Sequence, residues 1–433
     1  MKKIILVFVG VFLFNNSLYA VTLSEALLEA YKNNPVLNAE RENLSISNEE
    51  LKISKSEFLP SVTFTGSKSD EDTKKLTNKS GTNATINDVN PKTQTFLVEQ
   101  KLFQGFGGIA ELKKNKLGLK LANAKLLKVE QEILYEAARA YTGLVLAIKK
   151  FKINQSNVNL LERQFETNQA RLENGQISLA DLAQSESSLA GAQAKFIEAE
   201  NEVVTSKLIY NNVIGSLSDP VTLDEKLNIN LKLPDSLEKS SQISQKNDPE
   251  LIIAKLELEQ SQKDVEIAQS ELAPSATISF ETSQTDDLSS TYDERDKEIF
   301  KATVTWPIFS GGKNYSTLKK NKNLKNQKKL LLSNAITSNN TNVASAWSNY
   351  QSSESLLESV RSQVRAAEIA NEGIISENES GSGRSTLDVI QSSSLLLESK
   401  ISLANSERNY LLSKLKLLQS IGLLTAEYLQ IIQ

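Results

Sequence analysis

The 433-residue chain contains no cysteine and no histidine. Those absences remove a Ser-His-Asp or Cys-His couple, a thiolate nucleophile, every disulfide, and a zinc, copper or iron–sulfur site on the usual ligands. A lipid anchor on an N-terminal cysteine is closed for the same reason, and one methionine offers no soft-metal relay. No cofactor is expected. Seventeen glycines, eight prolines and 6% aromatics are little for this length, a balance that favours long helices over many-turned sheets. The formal charge of −4 leaves no basic excess, so nucleic acid is not an expected partner.

What is present begins with an export signal. Lys2 and Lys3 precede an apolar stretch at 4–14, and Ala20 is the small residue at the expected cut before Val21. The stretch is shorter than the ~20 residues a spanning helix needs. Removing this leader, residues 1–20, takes the charge from −4 to −6. No run of 18 apolar residues follows, so any membrane crossing must use strands.

An internal duplication organises the remainder. Asn34-Pro35 returns as Asp248-Pro249, and Leu59-Pro60-Ser61 as Ala273-Pro274-Ser275, both 214 residues on. Leu112-Lys113-Lys114-Asn115-Lys116 returns unchanged as Leu318-Lys319-Lys320-Asn321-Lys322. Asp181, Gln184 and Ser185 return as Asp388, Gln391 and Ser392, 207 residues on. At about 210 residues the period is far above the 20 to 50 of a solenoid, so a whole structural unit is doubled. The expected organisation is a first repeat at 21–215, a linker at 216–247, a second repeat at 248–422 and a tail at 423–433.

Within each repeat the periodicity changes twice. Asn34 or Asp248 caps a helix with proline at its first position, running to about Glu57 or Glu271. Alternating segments follow at 62–65, 96–102, 276–280 and 302–306, in which apolar residues alternate with Thr, Ser, Glu or Lys. Polar loops are expected between the strands of each pair, at 68–93 and 283–298. Four strands with no visible core to cover them suit an apolar face against lipid and a polar face towards a lumen. After the glycines Gly105, Gly107 and Gly108, a helical pattern runs unbroken over 109–173, ~98 Å at 1.5 Å per residue. It carries two apolar seams: Ile133, Ala137, Ala140, Leu144, Ala147, Phe151 and, beside them, Leu134, Ala138, Tyr141, Val145, Ile148. Two offset seams of coiled-coil spacing describe a helix with neighbours on both sides, as in a cylinder wall. A shorter return helix is expected at 182–214. Four strands cannot close a barrel, and open edges are not viable in lipid. The chain must therefore oligomerise, and twelve strands from three copies suit a conduit better than eight from two.

These residues resemble the TolC-type outer-membrane efflux and secretion ducts over nearly the whole mature chain. The resemblance rests on the doubled Asn-Pro or Asp-Pro helix start, the turns Leu102-Phe103-Gln104-Gly105 and Ile308-Phe309-Ser310-Gly311, and the helix–helix turns around Gly175 to Asp181 and Gly381 to Asp388. It implies an α+β, mostly α fold: long helical hairpins forming a periplasmic tunnel, and four strands per chain in a trimeric 12-stranded barrel in outer-membrane lipid. It also implies a homotrimer, a periplasmic adaptor docking at the tunnel tip, and an inner-membrane transporter reached through that adaptor. Asp181, Arg384, Asp388 and Gln391 then map to a periplasmic gate, and Gly175, Leu179, Leu182, Gly383 and Leu387 to the adaptor-contacting tip. Two departures stand out. Lys101 occupies the place of Pro307 in the other half, and Gln391 stands where some members carry a second aspartate.

The clusters Lys113, Lys114, Lys116 and Lys319, Lys320, Lys322 follow the membrane-exit turn in both halves. They are expected to meet anionic headgroups at the membrane boundary. The rival reading from another class is an exported coiled-coil structural or adhesive protein, which explains the helices but not the doubled strand pairs. An enzyme is a third, although no glycine-bounded nucleophile turn is visible.

Overall fold

The computed structural model describes residues 20–432 except 76, 78, 83–88, 218–222, 226–228, 230, 290–291 and 381–382. The leader, apart from Ala20, lies outside the described residues, as do Gly381 of the second helix–helix turn and parts of the linker. Twelve elements follow in order: α1 (Leu23–Asn33), α2 (Pro35–Ser56), β1 (Ser61–Lys68), β2 (Lys92–Gln104), α3 (Gly107–Glu173), α4 (Leu179–Val213), α5 (Leu237–Asn247), α6 (Pro249–Ser270), β3 (Ser275–Ser289), β4 (Tyr292–Thr305), α7 (Lys313–Glu379) and α8 (Thr386–Ser420). The helices fall into twins of equal length: 11 residues for α1 and α5, 22 for α2 and α6, 67 for α3 and α7, and 35 for α4 and α8.

One compact unit gathers the segment ending at Asn38 with Val129–Asp248 and Asn340–Gln433. Its core joins Leu134, Ala137, Ala138, Ala140, Tyr141, Leu144 and Val145 of α3 to Leu23 and Leu27 of α1, Tyr210 of α4, and Leu411, Leu415 and Leu418 of α8. Both seams of α3 are thus buried, as a helix flanked on two sides requires, and the alanines let its neighbours approach closely. Each large apolar side chain buried here contributes ~1.5–3 kcal/mol. Asn34 caps α2, its Oδ1 accepting from the N–H groups of Val36 and Leu37 at 3.0 and 3.3 Å. Its amide donates to the Val213 carbonyl at 3.2 Å, tying the end of α4 to the start of α2.

Helices α1 and α5 have no counterpart in the sequence reading. At 11 residues their apolar pattern is short, although Thr22 and Glu25 form a capping box and Leu23, Ala26, Leu27 and Ala30 are the buried face. The linker is held to α3 by Tyr141, whose Oη lies 2.8 Å from the Val21 carbonyl and 3.0 Å from that of Asp224. Val21 and Leu223 form a parallel bridge beside it. α8 ends in a Schellman turn, with Gly422 N–H donating to Gln419 O and Leu423 N–H to Leu418 O. Gly422 sits at φ 76°, and a Cβ there would lie 2.2 Å from the Asn247 carbonyl oxygen. Only glycine fits that combination of dihedral and close approach.

The other unit comprises Ala39–Lys128 and Pro249–Asn339. Its sheet is antiparallel throughout, in the order β1-β2-β3-β4. The strands of the second pair run further than the sequence reading placed them, through Ser289 and from Tyr292. The loop expected at 283–298 is therefore a long hairpin. Its residues are polar or charged except Leu288 and Tyr292, so no apolar alternation marks it. A ladder needs only backbone hydrogen bonds where both faces meet water.

Candidate conduction site: sheet faces, basic boundary and helix turns

Register sorts the four strands into two faces. Val62, Val98, Phe280 and Phe300 form one continuous row, and Phe64 and Phe96 pair on the same face. Ser61, Glu99, Ser279 and Lys301 form the adjacent row on the opposite face, as do Thr65, Thr95, Ser283 and Lys297. On that polar face Lys297 meets Glu281 across strands. Over these rows one face suits hydrocarbon and the other water, the arrangement of a transmembrane barrel wall, although Thr282 and Glu298 continue the Phe64–Phe96 row and Leu97 and Ile299 lie on the polar face. β1 and β4 are the edges of the sheet, and both carry polar backbone that lipid cannot satisfy.

The chain leaves the sheet through a tight turn. Gly105 has φ 57°, and a Cβ on it would meet Ala273 Cβ and the Ser270 carbonyl at 2.7 Å. Phe106 follows at φ 66° with its ring edge-on to Phe103, 5.2 Å between centroids. In the second half Trp306 Nε1 donates to the Leu272 carbonyl at 3.2 Å, and Ile308 and Phe309 stand exposed. Of the lysines that follow, Lys113, Lys116, Lys319, Lys320 and Lys322 are exposed in the single chain. Lys114 differs, lying 2.9 Å from Asp264. Burial works against its charge, but the hydrogen bond it donates to Asp264 and the charges of Asp264 and Glu111 outweigh it and raise its pKa.

The helix–helix turns are built from local caps. α3 ends in a Schellman turn, in which Gly175 N–H donates to Leu172 O and Gln176 N–H to Arg171 O, with Gly175 at φ 67°. α4 then starts with a capping box: Ser178 Oγ accepts from Asp181 N–H, and Asp181 Oδ2 accepts from the Ser178 N–H and hydroxyl at 3.0 and 2.7 Å. Ser385 and Asp388 repeat this at the start of α8, at 2.9 and 2.8 Å. The Ser178 hydroxyl and N–H lower the pKa of Asp181, and the Ser385 N–H and hydroxyl lower that of Asp388. The sequence reading missed this role for both aspartates; the serine three residues earlier in each repeat was the signal.

Within the chain Arg384 is held by Glu377, Nε to Oε2 at 2.7 Å, and this pairing raises its pKa further. Its carbonyl accepts from the amide of Asn378 at 2.8 Å, and Asn378 Oδ1 lies 3.4 Å from Arg171 of α3. Arg384, Asp388 and Gly383, the last at φ 90°, therefore share one short segment, with Gln391 exposed one turn along α8. Leu179 is 72% and Leu387 45% exposed at the two turns, whereas Leu182 is half-buried. Further up each hairpin, polar pairs replace apolar contacts. Asn168 donates to Ser185 at 2.7 Å, and the hydroxyls of Ser392 and Ser393 both donate to Asn371 Oδ1.

A four-stranded sheet with one face for lipid and two open edges, continued into 67-residue helices, defines a subunit of an oligomeric membrane duct. A family model described as outer membrane efflux protein matches residues 26–215 and 241–423. The gap between the two matches falls in the linker. The chain belongs to that family. It is 26% identical over 421 residues to the outer membrane efflux protein BepC of Brucella suis biovar 1, covering 97% of this chain and 89% of that protein. It is 23% identical over 441 residues to the outer membrane protein TolC of Vibrio cholerae, covering 99% and 97%. The crystal structure of the CmeC outer membrane channel of Campylobacter jejuni superposes with a TM-score of 0.80 at 16% identity, covering 92% of this chain and 85% of that one.

The protein is accordingly an outer-membrane exit duct whose helical tunnel stands in the periplasm. It works as a trimer, with a periplasmic adaptor and an inner-membrane transporter. Three copies supply twelve strands, which closes the edges left by β1 and β4. The coiled-coil structural or adhesive reading is set aside, and the family is one of channels rather than enzymes.

Proposed function

We propose that this duct conducts passively, without catalysis of its own, and that its cargo is chosen by the transporter and adaptor. The observation that carries this reading is the sheet register, which puts Val62, Val98, Phe280 and Phe300 on one face and Ser61, Glu99, Ser279 and Lys301 on the other. Such a wall holds open a water-filled path. The chain brings to it no histidine, no cysteine and one methionine.

The two helix–helix turns form the closing ring. Three copies bring together three turns with Asp181 and three with Arg384 and Asp388, while Gln391 takes the place of a further acid. Each aspartate uses Oδ2 for its cap, which leaves Oδ1 for a partner on the adjacent turn. Arg384 exchanges Glu377 for such a carboxylate when the ring closes, and exposed pairs of this kind exchange at little cost. Gly175 and Gly383 shape the turns, while Leu179 and Leu387, with Leu182 behind them, offer an apolar footing for the adaptor. The lysines Lys113, Lys116, Lys319, Lys320 and Lys322 meet anionic headgroups where the strands leave the membrane.

Single-channel recording in planar bilayers tests the gate. Arg384→Ala should raise conductance with the trimer intact, and Asp388→Asn should lower cation selectivity. Intact trimers of both variants that conduct like the parent would reject the assignment.

A further inference from the structure

The wall of the first unit has a second charged feature, away from the turns. On α3, Glu136, Arg139, Gly143 and Lys150 stand two, five or nine positions from Tyr141, which at 100° per residue places them across the helix from it. The Tyr141 side is covered by α1 and by the linker through Val21 and Asp224. An open conduit cannot hold that extra layer in its lumen, so the layer lies outside the wall and the opposite face looks inward. On that face, α3, α4 and α8 line a groove of about 720 Å³.

The groove holds three cations and two carboxylates. Glu136 pairs with Arg139 at 2.5 Å, and Glu202 with Lys150 at 2.8 Å. Arg408 is the cation left over. Its Nε is buried and meets no hydrogen-bond acceptor among the described residues. Gly143 leaves the space into which the guanidinium extends, since the atom nearest to a Cβ built there is Arg408 Nη2, at 3.9 Å. Burial, foremost, and the nearby charge of Arg139 lower the pKa of Arg408 against the opposing pull of Tyr135 and of the Glu202 carboxylate, which Lys150 already holds; a guanidinium nonetheless stays protonated, so the site keeps its charge. A planar fork of donors whose Nη end reaches the space beside Gly143 and lines a water-filled groove is the chemistry that binds an oxyanion through two parallel hydrogen bonds.

We propose that Arg408, with Arg139 in the same groove, forms a weak oxyanion-holding subsite on the inner wall of the tunnel. One such subsite stands in each protomer and takes the carboxylate of a passing anionic cargo. The proposal rests on the reading of the chain as a duct. It gives the tunnel a ring of positive charge at the level where the linker crosses α3, opposite in sign to the aspartates of the turns.

Bilayer recordings with succinate as probe test it. Succinate added to the chloride electrolyte should reduce the parent's current in a saturable way, and Arg408→Gln should raise the half-blocking concentration at least tenfold. Arg361→Gln, whose guanidinium pairs with Glu358 elsewhere on the wall, should block like the parent. Equal block in the parent and Arg408→Gln overturns the subsite. If that equality comes with a lowered temperature of trimer collapse in Arg408→Gln, the guanidinium belongs to a contact between copies instead. A parent that does not conduct at all overturns the duct reading and the subsite with it.

Discussion

Replacing Tyr141 with phenylalanine isolates one polar contact in the best-packed part of the wall. The ring is fully buried among α1, α3, α4 and α8, and phenylalanine keeps it, so no cavity opens. Only the hydroxyl between the carbonyls of Val21 and Asp224 is lost. A typical hydrogen bond contributes ~0.5–1.5 kcal/mol net, and the cost stays on that scale because the Val21 carbonyl still accepts from the Asp224 N–H at 3.0 Å. Tyr141→Ala would remove the ring as well, at a cost nearer ~3–5 kcal/mol by analogy with other large aromatics. The Phe variant loses its bond three times in each trimer, so the collapse of the trimer to monomers on heating in detergent should come several degrees lower, on the scale of ~2–4 °C or less per kcal/mol. Limited proteolysis should cut earlier near Val21, while conductance stays that of the parent. A Tyr141→Phe trimer that collapses at the parent's temperature and resists protease equally would refute the reasoning.

Gly422→Ala combines a left-handed φ with a Cβ that overlaps the Asn247 carbonyl. The dihedral alone costs ~1–2 kcal/mol, so the variant should lower the collapse temperature by more than Tyr141→Phe does; an unchanged melt would contradict the packing of α8 against α5. Replacing Lys113, Lys116, Lys319, Lys320 and Lys322 with glutamine should weaken trimer stability in vesicles of anionic lipid and leave it unchanged in neutral lipid, as read by heat-modifiable migration. Equal stability in both lipids would return these lysines to simple solvation of the helix starts.

The parts of the fold that repeat over long stretches were legible in the residues. The two seams of α3 state a helix with neighbours on both sides, and both are buried where the reading put them. Four short alternating segments announced the strands, because lipid on one face and water on the other imposes a period of two. Their outer ends carried no such mark, since beyond the membrane both faces meet water and the composition turns to Asp, Glu and Lys. α1 was lost to its short length despite the capping box of Thr22 and Glu25. At the turns, the match of Asp181 to Asp388 was visible but its local cause was not drawn: each is the third residue of a capping box whose serine precedes it. Arg408 was not legible at all. Its setting depends on α3 and α8 meeting from opposite repeats, with Gly143 opposite it, and no spacing along the chain encodes that.

The central claim is that β1 of one copy pairs with β4 of the next in a closed ring of three. The native chain has no cysteine, so Thr63→Cys on β1 can be combined in turn with single cysteines at positions 294–303 of β4. Disulfide formation needs Cβ atoms ~3.5–4.5 Å apart, which only directly opposed residues on paired strands approach. Oxidation of outer membranes should give one best β4 position, with covalent species ending at the trimer. Failure of every β4 position to cross-link, or products that stop at the dimer, would contradict the account.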